Sequence, residues 1–243
     1  MNSTDYLSLY SGDGCRINDN IVVHHPTIKE IQEFGEQGYY NMIYGLCSVG
    51  ADMKWQLYDI GIDYTEIDDF DLFSQMLCRM FPQERTSILL GDLDLAKMVL
   101  VRDTKLDENV LIDVERGIRI DRYVYRQIVN TIRLMHGLKR NDEIPGNKAT
   151  KQILIEEARE AYEETKDKEY KSILLPLVST MTVSSGCDYM AVFAMPIYTF
   201  TDSVKRITKI KNADLLLQSG YSGFGVDLKK INKDELNYMG ELK

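Results

Sequence analysis

The chain has 243 residues, 44% of them hydrophobic and 28% charged, enough for one large domain or two small ones around a sizeable core. Its formal net charge of −9 argues against broad, sequence-independent nucleic-acid binding, which depends on Lys and Arg neutralising phosphates. The widely spaced Cys15, Cys47, Cys78 and Cys187 form no zinc or disulfide framework, Met1 to Asn20 is polar, and apolar runs such as Ile173 to Val178 are far too short for a bilayer span, so a cytoplasmic protein with reduced thiols and no membrane insertion is expected.

In chain order, Tyr6, Leu7, Leu9 and Tyr10 precede the turn sequence Ser11-Gly12-Asp13-Gly14 and then Cys15-Arg16-Ile17. A second turn, Asn18-Asp19-Asn20, leads into Ile21-Val22-Val23. Short β-prone runs joined by Gly/Asp/Asn turns predict a small N-terminal β-element. Thr27 with Glu30 three residues on is a capping-box pattern, and Ile28, Ile31 and Phe34 recur at helical spacing. Helices are expected to follow over 39–47, 52–60 and 68–81, the last stopped by Pro82. In the second of these Met53, Leu57 and Ile60 make the apolar stripe, with Trp55, the only tryptophan, to one side as a core residue.

The pattern changes between Leu95 and Ile120. Lys97 to Arg102, Asn109 to Asp113 and Ile118 to Ile120 are β-branched runs split by polar residues and Gly117, predicting a hairpin or a three-stranded meander. Asp121 can cap a helix whose apolar positions are Val124, Ile128, Ile132 and Met135 and which ends near Gly137. Residues 139–148 contain Pro145-Gly146-Asn147 and are the candidate linker between an N-terminal α+β domain, 1–138, and a C-terminal helical domain, 149–243. The second part opens with a charge-rich helix over 150–168, its narrow stripe made by Ile153, Ile155 and Ala158. Helices over 171–183 and 198–217 and a short one near 233–239 complete an α+β, mostly α-helical fold.

No clustered set of catalytic groups is visible. His24 and His25 would point to opposite sides of a strand, a poor geometry for one metal, and His136 sits where a helix C-terminus accepts a cation. Asp63, Glu66, Asp68, Asp69 and Asp71 lack the pattern of a calcium loop and suit a helix N-terminus, although a metal-dependent hydrolase would need such carboxylates. Gly220-Tyr221-Ser222-Gly223-Phe224-Gly225 lacks the GK[ST] ending of a phosphate loop. The expectation is a non-enzymatic protein without metal or cofactor. Tyr39, Tyr40 and Met42, and Tyr189, Met190, Phe193 and Met195, are candidate protein-contact clusters, since Tyr and Met give adaptable contact surface; the same stripes suit a core. Lys205, Arg206 and Lys209, with Lys211, form a basic face that can meet an acidic partner or the acidic helix around 156–164.

Two stretches carry a family likeness. His25-Pro26-Thr27-Ile28-Lys29-Glu30-Ile31, after short strands, resembles the opening of small tail assembly proteins of phages of Gram-positive bacteria. The segments 172–179, 200–207, 220–223 and 229–239 resemble proteins of phage and prophage structural-gene clusters. The resemblance implies a tail assembly chaperone that binds tape-measure and tail-tube proteins in the host cytoplasm. A virion component of the neck or baseplate is the alternative within the same setting.

Overall fold

The computed structural model describes residues 3–104, 107–222, 225, 227 and 230–242. Helix α1 (Ser3–Ser11) leads into the antiparallel pair β1 (Cys15–Arg16) and β2 (Val22–Val23). Helices α2 (Ile28–Phe34), α3 (Glu36–Cys47) and α4 (Lys54–Asp59) follow. Then comes α5 (Asp69–Leu72), continued by a π-turn over Phe73–Leu77 and a 3-10 turn over Cys78–Met80, and α6 (Gln83–Leu90). The antiparallel meander of β3 (Val99–Asp103), β4 (Glu108–Asp113) and β5 (Ile118–Ile120) precedes α7 (Arg122–His136), α8 (Lys148–Thr165), α9 (Leu174–Ser185), α10 (Tyr189–Phe193), α11 (Ile197–Tyr221) and α12 (Lys233–Leu236). The fold is α+β and mostly helical, with two small antiparallel sheets set among the helices. Among the described residues no helix is long and apolar enough to cross a membrane.

Local signals place several of these elements. Thr27 and Glu30 close a reciprocal capping box at α2: the Glu30 amide donates to Thr27 Oγ1 at 3.2 Å and the Thr27 amide to Glu30 Oε2 at 2.7 Å. Asp121 accepts from the Val124 amide at the head of α7, and Gly137 ends that helix in the left-handed region with φ 61°. Of the apolar stripe of α7, Ile128, Ile132 and Met135 are buried as their spacing predicts and Val124 is half-buried, and Val129 joins them in the core. Gly50 has a packing reason: an added Cβ would stand 2.2 Å from the Tyr64 carbonyl oxygen.

The N-terminal β-element is smaller than expected. Residues 6–10 lie in α1, and only Cys15–Arg16 and Val22–Val23 pair. The reason is visible in Leu7 and Leu9, which a strand would place on one face. Leu9 is 1% exposed and Leu7 74%, and Tyr10 packs edge-on against Tyr198 of α11 with centroids 5.0 Å apart. Burying Leu9 and seating Tyr10 on α11 requires helical geometry. Pro82 stops the preceding turn as expected, but helix α6 starts directly after it, and α10 was likewise hidden in a short apolar run.

The chain does not divide at residues 139–148. One apolar cluster contains Ile31, Tyr39, Leu57 and Phe73 from the first part together with Ile155, Leu174, Val178, Ile197 and Phe200 from the second. Backbone hydrogen bonds join the parts directly, Ile28 N to Met195 O and Ile197 N to Pro26 O. The would-be linker is fastened: Arg140 donates two hydrogen bonds of 2.9 Å to Asp69, Asn141 donates to Asp52, and Glu143 pairs with Lys54 at 2.5 Å. Polar and Pro/Gly composition marks exposed chain, and exposure alone does not make a hinge.

Candidate functional site

The surface that stands out chemically is formed by α9 and α10. Between Lys171 and Asp188 the sequence has no charged residue. Residues Leu174, Val178 and Met181 recur at i, i+4 and i+7 and face the core. On the opposite side Leu175, Pro176, Ser179, Thr180 and Val183 are exposed, with Leu175 71% and Val183 78% accessible. Pro176 is tolerated because it sits in the first turn, where its missing amide costs no helical hydrogen bond. Gly186 ends the helix with φ 71°, Asp188 caps α10 through the Ala191 amide, and Val192 anchors α10 while Tyr189 and Met190 are left exposed.

The anchor of α9 comes from the far side of the sequence. Glu36, at the head of α3, accepts from Ser172 Oγ at 2.6 Å, from the Ile173 amide at 2.6 Å and from the Leu174 amide at 2.8 Å. A carboxylate at a helix N-terminus satisfies amides that have no partner within the helix. Burial pushes the Glu36 pKa up, but the hydrogen bonds from Ser172 and the two backbone amides outweigh it, and the net shift is downward.

The sequence-predicted contact residues separate into three groups. Tyr39 and Met42 are core residues, 0% and 4% exposed, and Tyr40 is half-buried against Tyr39, so this cluster is internal packing and not a contact surface. Phe193 and Met195 are half-buried, packed on the core beneath α10. Tyr189 and Met190 are exposed and belong to the α9–α10 face. The basic residues of α11 do not meet the acidic helix. Arg206 donates to the carbonyls of Tyr238 and Gly240, Lys209 to that of Glu241 at 2.8 Å, and Lys211 to Ser184 Oγ at 3.0 Å. Arg206 and Lys209 hold the C-terminal segment against α11, beside a groove of about 1050 Å³ that Lys205 also lines.

Helix α8 lies against α4 instead. Only Ile155 of its expected stripe is fully buried, and Ile153 is 54% exposed. Half-buried Trp55 serves as the seat for α8, tilted against Tyr162 with centroids 5.2 Å apart and the Arg159 guanidinium 5.9 Å from its ring centroid. Arg159 also pairs with Asp59, and Lys151 with Asp63. Of the α4 stripe, Leu57 is buried and Ile60 is 57% exposed.

The acidic run is engaged by cations from distant segments. Asp63 pairs with Lys151, Asp68 caps α5 and pairs with Arg122, Asp69 binds Arg140, and Asp71 pairs with Arg122 at 3.5 Å and accepts from Asn109. Hydrogen bonds from Lys151 and Thr65 hold the Asp63 pKa down at about 2. Among the described residues no group of three or more His, Cys, Asp and Glu side chains is arranged to hold a metal ion. Of the glycine cluster at the end of α11, Gly223 and Phe224 lie outside the described residues.

His24 is exposed and His25 buried, on opposite sides of the chain as their adjacency predicts. His136 is not the dipole-complementing cation that its place near a helix end suggests. Its Nδ1 lies 2.7 Å from the Ile132 carbonyl oxygen, which can only accept, so Nδ1 carries the proton. Its Nε2 then accepts from the Tyr39 hydroxyl at 2.6 Å. Burial pushes its pKa down to about 4, so the ring is neutral at pH 7.

Leu175 and Val183 carry no motif; their only sequence signal is the absence of charge between Lys171 and Asp188. Comparison with family models, curated proteins and solved structures returns no significant match.

Proposed function

We propose that this protein acts by binding other proteins and not by catalysis, with the α9–α10 face as its contact surface. Leu175, Val183, Tyr189 and Met190 are exposed on segments that carry no charge on that side, in a chain whose net charge is −9. Apolar, charge-depleted surface with exposed Tyr and Met is the composition of the centre of a protein interface. The complementary partner is a helical segment, apolar and uncharged at its centre, laid along α9. Together with the resemblance to tail assembly proteins, this supports an assembly chaperone that covers aggregation-prone segments of tape-measure or tail-tube subunits before they polymerise.

The test is a pull-down from phage-infected cells with the wild-type chain and with Val183→Glu/Met190→Glu. Tape-measure or tube proteins are expected with the wild type and lost with the variant. Their absence from a wild-type pull-down that recovers other partners overturns the chaperone reading. Recovery of this protein at fixed copy number in purified virions replaces it with a structural role.

A further inference from the structure

Of the five helices of twelve residues or more, α8 is the least anchored. α3 buries five residues, α7 six, and α9 and α11 three each, whereas the 18 residues of α8 bury Ile155 alone. Every residue from 159 to 169 is exposed. What else holds α8 and the chain leading into it is mainly charge. Arg140 pairs with Asp69, Lys151 with Asp63, Arg159 with Asp59 and Lys54 with Glu143, so four ion pairs join 140–159 to 54–69. All four reach solvent: the side chains of Arg159 and Asp59 are each 45% exposed, and that of Asp63 is 38% exposed. Such pairs are individually weak and are screened by salt. A helix held by screened charge and one buried side chain opens at a small fraction of the cost of unfolding the whole domain.

The packing beneath α8 is incomplete as well. Trp55 is half-buried against Tyr162, which is itself 46% exposed. Tyr64, buried at 4% exposure, has the Lys151 ammonium 5.2 Å from its ring centroid, and its hydroxyl finds no hydrogen-bond partner among the described residues. An unpaired buried hydroxyl is costly where it stands and regains water when its cover leaves, which favours opening.

We propose that α8 is a salt-released cover over Trp55, leaving the body as a unit while the other helices stay folded. Ile155 is the closing contact, and the Lys151–Asp63 and Arg159–Asp59 pairs are the clasp. Screening weakens the clasp and leaves the Ile155 contact in place, so ionic strength sets the fraction open. Opening bares Trp55 and Ile155 in a region where Tyr58 and Ile60 are already 49% and 57% exposed. A charged surface is thereby exchanged for an apolar one.

Residue-resolved hydrogen exchange on the full chain is the test. A single helix of this length is marginal in water once undocked, so its amides exchange when it opens. In about 0.05 M sodium chloride, amides 152–163 are expected to exchange faster than those of α7 yet slower than free chain. Their opening constant should rise about tenfold by about 1 M, with α7 unchanged. Asp59→Asn/Asp63→Asn should raise it about tenfold already at low salt and remove most of the salt dependence. Ile155→Asp should move the emission of Trp55, the only tryptophan, to longer wavelength while α7 keeps its protection. Exchange of 152–163 only at the rate of α7, or without any protection at low salt, overturns the proposal. So does an opening constant indifferent to salt, or one that keeps its full salt dependence in Asp59→Asn/Asp63→Asn. Loss of α7 protection in Ile155→Asp also overturns it, because α8 would then belong to the cooperative core.

Discussion

Helices α8 and α9 are both surface helices of the C-terminal part, and they are fastened in opposite ways. α8 presents Glu156, Glu157, Glu160, Glu163 and Glu164 to solvent and buries only Ile155 fully. The rest of its attachment is half-buried or exposed: Trp55 against Tyr162, Arg159 with Asp59, Lys151 with Asp63. α9 buries Leu174, Val178 and Met181, and its leading residues 172–174 donate three hydrogen bonds to Glu36, yet it leaves Leu175 and Val183 in water. A charged outer face needs nothing further, since it is solvated as it stands. An apolar outer face on a well-fixed helix is stability-neutral in the isolated protein and gains meaning from what covers it.

The largest separation between the two should come with acid. The α9 side is built on α3, where Glu36 lies one turn from Tyr39 and Tyr39 donates to His136. Protonating His136 charges a ring that burial has desolvated, so the folded state resists it. The unfolded chain takes up that proton below pH 6.5 and the folded chain only near 4, so stability is full above 6.5 and falls as pH drops through that window. The loss is on the order of 3 kcal/mol and should appear as a falling urea midpoint. Asp63, held at about 2, keeps its full contribution down to its ordinary 3.8 and loses it between 3.8 and about 2, below the window of His136. Hydrogen exchange at pH near 5 should therefore accelerate in 174–181 before 151–158. Equal acceleration would show that the anchorages are not distinct.

Next in size is the cap itself. Glu36→Ala leaves Ser172 and the amides of Ile173 and Leu174 without their acceptor and should cost about 2 kcal/mol in chemical denaturation, with faster exchange at the start of α9. Asp63→Asn removes the corresponding tether of α8, a partly exposed pair screened by solvent, and should cost less than about 1 kcal/mol. A larger loss from Asp63→Asn than from Glu36→Ala would invert the comparison. Smallest of all, Val183→Glu/Met190→Glu should leave stability within about 0.5 kcal/mol of wild type while removing partner capture, because neither side chain is buried.

Much of the secondary structure was legible because its signals are local. The Thr27–Glu30 box, the Asp121 cap, Gly137 at the end of α7 and the turn-separated runs of the meander each act within a few residues. The candidate site was legible only in part. Tyr189 and Met190 are exposed, whereas Tyr39 and Met42 are interior, and composition could not separate them because Tyr and Met suit both environments. Strand and helix were confused at Leu7 and Leu9, where a short run fits either period and a distant contact with α11 decides.

The sequence by itself determined a mostly helical α+β chain, the helix ends marked by caps, a central β-segment read as a hairpin or a three-stranded meander, and the acidic balance that disfavours broad nucleic-acid binding. Only the tertiary structure decided that the two parts share one core, that the run from Asp63 to Asp71 faces Lys151, Arg122 and Arg140, and that Glu36 caps a helix beginning at Leu174. The physical reason is reach. Capping and periodicity are encoded within one or two turns of chain, whereas charge pairing and burial depend on which segments packing brings together, and here those segments lie 51 to 138 residues apart.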